Sequence, residues 1–395
     1  MAYTKRDIDS LLRRVVDKLD ISDELFGNAK NEYNNLGKWI ETQTDYDISI
    51  YPQGSFALGT VIRPISDEDD YDLDLVCELA EDYNLEAKEL KCDVVKKWLV
   101  DYKRINGEIE EKRRCWHVEY KEIPNFHMDV IPAYKVGVGD TNFLGEINIT
   151  EHDEANNSYE YIGSNPSGYI EWFFGRCKRR LTAILEAYDY QIREEVEVEP
   201  LERNRAKTSL QQAVQLLKRH RDVMFENYPD EKDAGGGISR ADKPISILIT
   251  TIAAQLYENE DSTIESINNI LQNAEKYIEM KRRNGEYYIE NPSFMGENFA
   301  DKWNYDDKRK KAFYDWIDQA KKDLNMDYLL SLDKVELLKH IKGLFGENLT
   351  TRIIHEMAEE DRNGIETGKI MMDSSTGILS ENGNVEIRTN HHHSG

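Results

Sequence analysis

"YPQGSFALGTVIRPISDEDDYDLDLV", residues 51–76, decides the fold: a glycine-serine turn at Gly54-Ser55 precedes six acidic side chains in eight positions, Asp67 to Asp74. The acidic run has two parts. Asp67 to Asp70 follow Pro64 as an unbroken polar cluster, which is the composition of a turn. Tyr71-Asp72-Leu73-Asp74-Leu75-Val76 alternates with a period of two, which is the pattern of a strand. Alternation sends Asp72 and Asp74 to one face and Leu73 and Leu75 to the other, toward a core. Carboxylates placed this way lie about 6 to 7 Å apart and repel by roughly 2 to 3 kcal/mol at an effective dielectric near 20. A protonated member, a basic partner or a bound cation can offset that repulsion. No Lys or Arg occurs between Ile65 and Glu86, so a hard divalent metal is the simplest reading.

A third carboxylate is available. Phe126, Met128 and Val130 share one face of a second alternating run, with Asp129 opposite and Pro132 toward its end. The strand-like run Cys115 to Ile123 precedes it, and Pro124-Asn125 between them predicts a hairpin. Asp72, Asp74 and Asp129 can then converge on one sheet, the arrangement that two-metal phosphoryl transfer requires. Ile48 to Tyr51 reads as a further strand, Gly54 permits a close backbone approach, and Ser55 is expected to open a short helix over Phe56 to Ile62. The N-terminus of that helix, beside the carboxylates, would bind the anion of a nucleoside triphosphate.

Gly54-Ser55, Asp72-x-Asp74 and Asp129 together resemble the signature of the DNA polymerase beta nucleotidyltransferase superfamily. More narrowly, "QGSFALGTVIRP", "YDLDLV", "FHMDVIPA", "SNPSGYIEWF", "LQQAVQLLKRHRD" and "NPSFMGENFADKW" resemble the bacterial CD-NTases, with a suggestion of clade D. These are DncV-like relatives of cyclic GMP-AMP synthase and oligoadenylate synthetase. The resemblance runs from about Ile48 to Trp303. It implies an α+β fold: a polymerase-beta-like core of mixed sheet and flanking helices, a helical lobe, and an active site in the cleft between them. It also implies synthesis of a cyclic di- or trinucleotide messenger from ATP or other ribonucleoside triphosphates, in anti-phage (CBASS) signalling. Two Mg²⁺, or Mn²⁺ in their place, would sit on Asp72, Asp74 and Asp129. Gln53, Gly54 and Ser55 would meet the triphosphate, and Lys218 and Ser246 fall where relatives place triphosphate contacts. Asn165 is a candidate reader of a nucleobase edge. Operons of the family suggest a ubiquitin-conjugation-like or HORMA-like partner and a conjugated terminal Gly395.

Each assignment has a plainer competitor. Lys218 reads equally as a solvated helix lysine, Ser246 as a helix cap after Pro244, and Asn165 before Pro166 as a turn starter. Arg63 can meet phosphates or pair with Asp67 to Asp70. His127 shares the Asp129 face, where it can donate to a carboxylate or simply be a satisfied buried histidine. The chemistry alone also allows transfer to a macromolecule or antibiotic: a tRNA end, a protein or an aminoglycoside. A calcium-type loop is disfavoured, because the acidic run lacks the ligand spacing and central glycine of one.

Composition narrows the partners. Against 76 Asp and Glu there are 51 Lys and Arg among 395 residues, a formal charge of −25. Proteins that hold long nucleic acids usually display basic surface, so none is expected here, although a local basic groove is compatible with the total. No run is long and apolar enough for a membrane span, and the four cysteines show no paired metal spacing, so a cytoplasmic protein with reduced thiols is expected. Helices are predicted over 3–19 and 23–42, both packed on the back of the sheet, over 87–102, and near 171–191, 205–226, 244–257, 261–281, 306–323 and 333–358. The expected division is a catalytic core at 1–200, a helical lobe at 201–360 and a weakly ordered tail at 361–395. Pro229 to Lys243 is expected to be a mobile loop.

Overall fold

The computed structural model describes residues 4–65, 71–80, 83–102, 109–120, 126–136, 146–188, 207–372, 374, 379–380 and 385. The acidic turn at Asp67 to Asp70 and the terminal Gly395 therefore lie outside the described residues. Ala2–Ser331 forms one compact unit and Leu332–Gly395 another, so the boundary expected at 200/201 falls inside a single unit.

The chain opens with α1 (Lys5–Leu19) and α2 (Asp23–Gln43), then β1 (Ile48–Pro52), the one-turn α3 (Gly54–Ala57) and β2 (Tyr71–Leu79). A π-helical segment, Glu89–Val95, runs into α4 (Lys96–Asp101) where a single helix was expected. Then come β3 (Glu110–Glu111), β4 (Trp116–Glu119), β5 (Phe126–Lys135), β6 (Ile147–Asp153) and β7 (Ser158–Ser164). The seven strands form one mixed sheet in the order β1-β2-β5-β4-β3, with β6 pairing β5 and β7 pairing β6. β2 and β5 are parallel, which requires a crossover, and the helical stretch 89–101 supplies it.

The period-two reading of β2 and β5 holds residue by residue. Leu73 pairs with Met128 and Leu75 with Val130, and Trp116 and Val118 of β4 continue both rows. All six are buried, in a core with Tyr33, Leu36 and Ile40 of α2 and Val95, Trp98 and Leu99 of the crossover. Full burial stabilises by about 1.5 to 3 kcal/mol per large apolar side chain. Tyr33 Oη donates to the Ile50 carbonyl at 2.9 Å and Trp39 Nε1 to that of Trp98 at 3.0 Å, so the two helices that cover the sheet are pinned by polar contacts as well.

Of the two N-terminal helices, α2 covers the sheet and α1 does not. α1, expected beside it, turns its apolar stripe from Ile8 to Leu19 toward the helices that follow the sheet. Those are α5 (Pro166–Tyr188), α6 (Ser209–Glu226), α7 (Ser246–Leu256), α8 (Thr263–Met280), α9 (Asp307–Asp323) and α10 (Met326–Ser331). Asp9 of α1 accepts the Ile264 amide at 3.0 Å and Lys5 pairs with Glu265, which fixes α1 at the start of α8. The α6–α7 connection holds two 3₁₀ turns, with Arg240 N donating to Pro229 O at 2.9 Å and Ser239 capping the second.

α6 is buried all round, although its sequence reads as amphipathic. Gln211 Nε2 donates to Leu58 O at 3.0 Å, Gln215 Nε2 to Val61 O at 2.6 Å, Lys218 Nζ to Thr60 O at 2.9 Å and Arg219 Nη2 to Arg63 O at 2.5 Å. One polar face of α6 thus satisfies the backbone of the segment after α3. These bonds tie α6 to the segment that follows α3.

In the second unit, α11 (Lys334–Phe345) and α12 (Glu347–Glu366) form a helical hairpin closed at Gly346, whose φ is +102°, and β8 (Met371–Met372) pairs β9 (Leu379–Ser380). α12 runs past the helix end expected near 358 and into the stretch read as tail. The periodic signal fades at Glu360, but backbone bonds continue to Thr367, whose amide donates to Asn363 O.

Candidate active site

Register builds the site. Across β2 and β5, Asp72 faces His127 and Asp74 faces Asp129. Across β5 and β4, Asp129 faces His117 and His127 faces Glu119. Paired residues share a face and adjacent strands lie about 4.8 Å apart. The result is two polar rows, Asp74-Asp129-His117 and Asp72-His127-Glu119, on the face opposite the apolar core. The three predicted carboxylates are therefore brought together.

Gly54 explains the turn. Its φ is +64°, and a Cβ there would stand 2.2 Å from Asp74 Oδ2, so only glycine lets the backbone reach the carboxylate. The Gln53 amide donates to Asp74 O at 2.9 Å, extending the β1–β2 pairing to this point. Gln53, and not Ser55, holds the cap position of α3. That helix is one turn long and closes with Thr60 N donating to Ser55 O, which corrects the expected helix over 56–62. Gln53, Gly54 and Ser55 at the start of this turn line the cleft beside Asp72 and Asp74.

Asp74 ionises against its surroundings. Burial first, then the charges of Asp72 and Asp129, push its carboxyl well above the usual range, with Lys218 opposing. Asp129 is held by His117, whose Nδ1 lies 2.8 Å from Oδ1. His117 was not a sequence candidate.

Asp72 and Asp74 open into a cleft of about 1020 Å³ inside the first unit, which Gln53, Gly54, Ser55, Lys218 and Ser246 also line. Lys218 is only 5 % exposed, which removes the solvated-lysine reading. Desolvation, then Arg221, lower its ammonium to about 8, while Asp222, Asp72 and Asp74 act the other way. Ser246 is the first residue of α7 rather than its cap, and its Oγ accepts from Arg221 Nη1 at 3.1 Å. Asp222 bridges Arg221 and Lys243 at 2.8 and 3.0 Å. Arg113 and Arg114, both on the cleft wall, converge on Glu151 at 2.5 and 2.8 Å. The cleft is a basic groove in an acidic protein. Of its cations, sequence reading had assigned only Lys218 to substrate, with Arg63 left open between phosphate and the acidic turn.

Asn165 does not face the cleft. It is buried, with Oδ1 accepting the Gly168 amide at 2.8 Å and Nδ2 donating to Ser293 O at 3.0 Å. Its Oδ1 is consumed in starting α5 and its Nδ2 in holding Ser293, so the turn reading replaces the base-reading one. Arg63 lines the cleft and donates from Nη2 to Asp20 O at 3.2 Å.

Residues 48–134 match the family model "Cyclic GMP-AMP synthase DncV-like, nucleotidyltransferase domain", a span that runs from the start of β1 nearly to the end of β5 and contains all three aspartates. The chain carries a DncV-like nucleotidyltransferase domain. Around that domain, the chain is similar to a c-di-GMP synthase of Roseivirga ehrenbergii, 26% identical over 365 residues, which covers 90% of this chain and 88% of that protein. Its fold is similar to that of the CD-NTase CdnG of Bradyrhizobium diazoefficiens, solved in complex with GTP, with a TM-score of 0.66, 19% identity and coverage of 89% and 99% of the two chains. The CdnC:HORMA-deltaN complex of E. coli MS115-1 gives a TM-score of 0.54 at 16% identity, over 85% and 95%. These structures share the fold of the sheet and of the helices that follow it. Among the described residues, no helix is long and apolar enough to cross a membrane.

Proposed function

We propose that this protein is a template-independent nucleotidyltransferase that joins ribonucleoside triphosphates into a cyclic dinucleotide. The observation that supports it best is the in-register pairing of Asp74 with Asp129, with Gly54 packed against the Asp74 carboxylate. The donor set fits two Mg²⁺. All ligands are carboxylate oxygens, as a hard cation prefers, and Asp74 is left short of positive charge by its own neighbours. Bound there, the ions would lower the pKa of a ribose hydroxyl and neutralise the departing pyrophosphate.

The chain's own residues do the rest. Asp72 and Asp74 present their carboxylates to the cleft, and the His117 hydrogen bond orients Asp129 beside them. Lys218, with Arg221 and Lys243 beyond it, faces a triphosphate with positive charge. Arg113 and Arg114 provide a second anion-binding wall suited to another nucleotide. Attack of the hydroxyl on the α-phosphorus needs no protein nucleophile, so positioning and charge account for catalysis. The cleft volume lies at the upper end of the range of about 300 to 1,000 Å³ typical of small-molecule sites, in keeping with a site for two nucleotides. Ring closure, the anti-phage role and a HORMA-type partner rest on the names of the similar proteins and on the family resemblance.

The test is incubation of the protein with all four ribonucleoside triphosphates and Mg²⁺ or Mn²⁺, beside an Asp72→Ala, Asp74→Ala double variant. Phosphatase-treated products are then read by mass spectrometry. A phosphatase-resistant cyclic dinucleotide from wild type only is expected. Turnover that appears only with an added protein, tRNA or aminoglycoside would instead establish the acceptor-modifying reading.

A further inference from the structure

The carboxylate face carries two imidazoles, of which the nucleotidyl-transfer reading uses His117 to orient Asp129 and leaves His127 without a task. His117 and His127 come from different strands, yet their ring centroids are 4.1 Å apart with an interplanar angle of 48°. One ligand atom from each, with one oxygen of Asp129, fall within 4.8 Å of one another. The His117 and Asp129 side chains are 17 % and 23 % exposed, so a small ion can reach them while the sheet holds them in place. Register locks the group: His117 and His127 are the β4 and β5 members of the two rows that contain Asp129 and Asp72. A bound cation there would also lie near the negative charge of Asp72, Asp74 and Glu119.

We propose that His117, His127 and Asp129 form a second cation site, selective for imidazole-preferring divalent metals such as Zn²⁺, which shares Asp129 with the carboxylate pair. Two nitrogens and one carboxylate suit Zn²⁺ and its neighbours, whereas Mg²⁺ prefers oxygen ligands. Asp129 Oδ1 already faces His117 Nδ1 at 2.8 Å, so Zn²⁺ there would hold the carboxylate on the β4 side and oppose Mg²⁺-dependent transfer. That consequence rests on the nucleotidyltransferase reading. The site itself does not.

The test uses the full-length, chelator-treated protein titrated with Co²⁺, followed by visible d–d absorption, with Zn²⁺ affinity then measured by competition. The arms are wild type, His117→Asn with His127→Asn, and Asp72→Asn with Asp74→Asn. Asparagine keeps a nitrogen near the Nδ1 position of each ring but ligates metal poorly. Wild type and the aspartate variant are expected to show the same spectrum. The histidine variant is expected to lose it, with Zn²⁺ affinity at least about 10-fold weaker. If the double histidine variant does not fold, as judged by circular dichroism, the single His127→Asn variant decides. An unchanged spectrum without the histidines, a spectrum lost with Asp72 and Asp74, or no Co²⁺ binding by wild type overturns the site. For the consequence, Zn²⁺ added at fixed Mg²⁺ is expected to depress product formation in wild type more than in His127→Asn, and equal depression overturns it. A wild type inactive with every metal counts against the transfer reading, while the Co²⁺ spectrum still decides the site.

Discussion

Gly54 and Lys218 mark the two sides of the cleft, and each makes a sharp demand. A methyl group at Gly54 would meet Asp74 Oδ2 at 2.2 Å in a backbone conformation that L residues avoid, so Gly54→Ala must displace the carboxylate, the turn or both. A displacement near 1 Å costs on the order of 100-fold in a positioned reaction. We expect kcat/KM to fall by about that factor while the far-ultraviolet spectrum is retained, and near-wild-type kinetics would show that Gly54 is only a turn residue. Lys218 makes a demand on pH. Its ammonium is lowered to about 8 in the fold, against roughly 10.4 unfolded, so both states are protonated below pH 8. As pH rises from about 8 toward 10.4 the native state loses its proton first, and this residue's contribution to stability grows. A bound triphosphate restores the charge. Nucleotide binding should therefore take up protons near pH 8 and weaken above it, measurable by calorimetry in two buffers of different ionisation enthalpy. Lys218→Met should abolish the uptake and weaken binding by about 10- to 100-fold, the worth of a charge-assisted hydrogen bond. Proton uptake that survives the substitution would assign the effect to another group.

At the scale of elements, the crossover after β2 carries a second clamp. Lys91 sits in the π-helical segment, fully buried, and its Nζ donates to Lys112 O at 2.6 Å and Arg113 O at 3.1 Å beside Glu111 at 3.3 Å. It fixes the turn that presents Arg113 and Arg114 to the cleft. Lys91→Met keeps the bulk but strands those carbonyls, at about 1 to 3 kcal/mol for each unsatisfied group. We expect a lower thermal midpoint and a raised KM for nucleotide with kcat less affected. A folded variant with unchanged KM would leave Lys91 a purely structural residue. This clamp shows which elements were legible in the sequence and which were not. Strand faces were, since Leu73 and Leu75 against Asp72 and Asp74 need only local alternation. His117 was legible in principle, because a hairpin pairing centred on position 123 sets it opposite Asp129. The polar face of α6 was not: Gln211, Gln215 and Lys218 look solvated until the carbonyls of 58–61, far away in sequence, are known to meet them. Asn165 misled for a related reason, since an Asn before Pro looks the same whether its amide faces a ligand or caps a helix.

Charge is distributed on the scale of the whole molecule so that the total and the cleft oppose each other. The chain carries −25, yet Arg113, Arg114, Lys218, Arg221 and Lys243 all line one cleft. Composition argues against long polyanions, but it averages over a groove whose cations are paired, buried or both. Long-range repulsion from the acidic exterior falls off over a Debye length of about 8 Å at physiological ionic strength, whereas the cleft cations act at contact. A mononucleotide that enters the cleft meets mainly the cations. A duplex or a long single strand must also lie along the acidic exterior, with few cations there to displace its counterions. We therefore expect nucleoside triphosphates to bind, while labelled double-stranded DNA and single-stranded RNA show no saturable anisotropy change at physiological salt and do not raise product formation. Lowering the salt should strengthen triphosphate binding modestly and leave the polymers unbound. Saturable polymer binding with a steep salt dependence, or stimulation of synthesis by either polymer, would mean that a continuous basic track reaches the cleft, and would reopen the macromolecular acceptor reading that the charge balance now opposes.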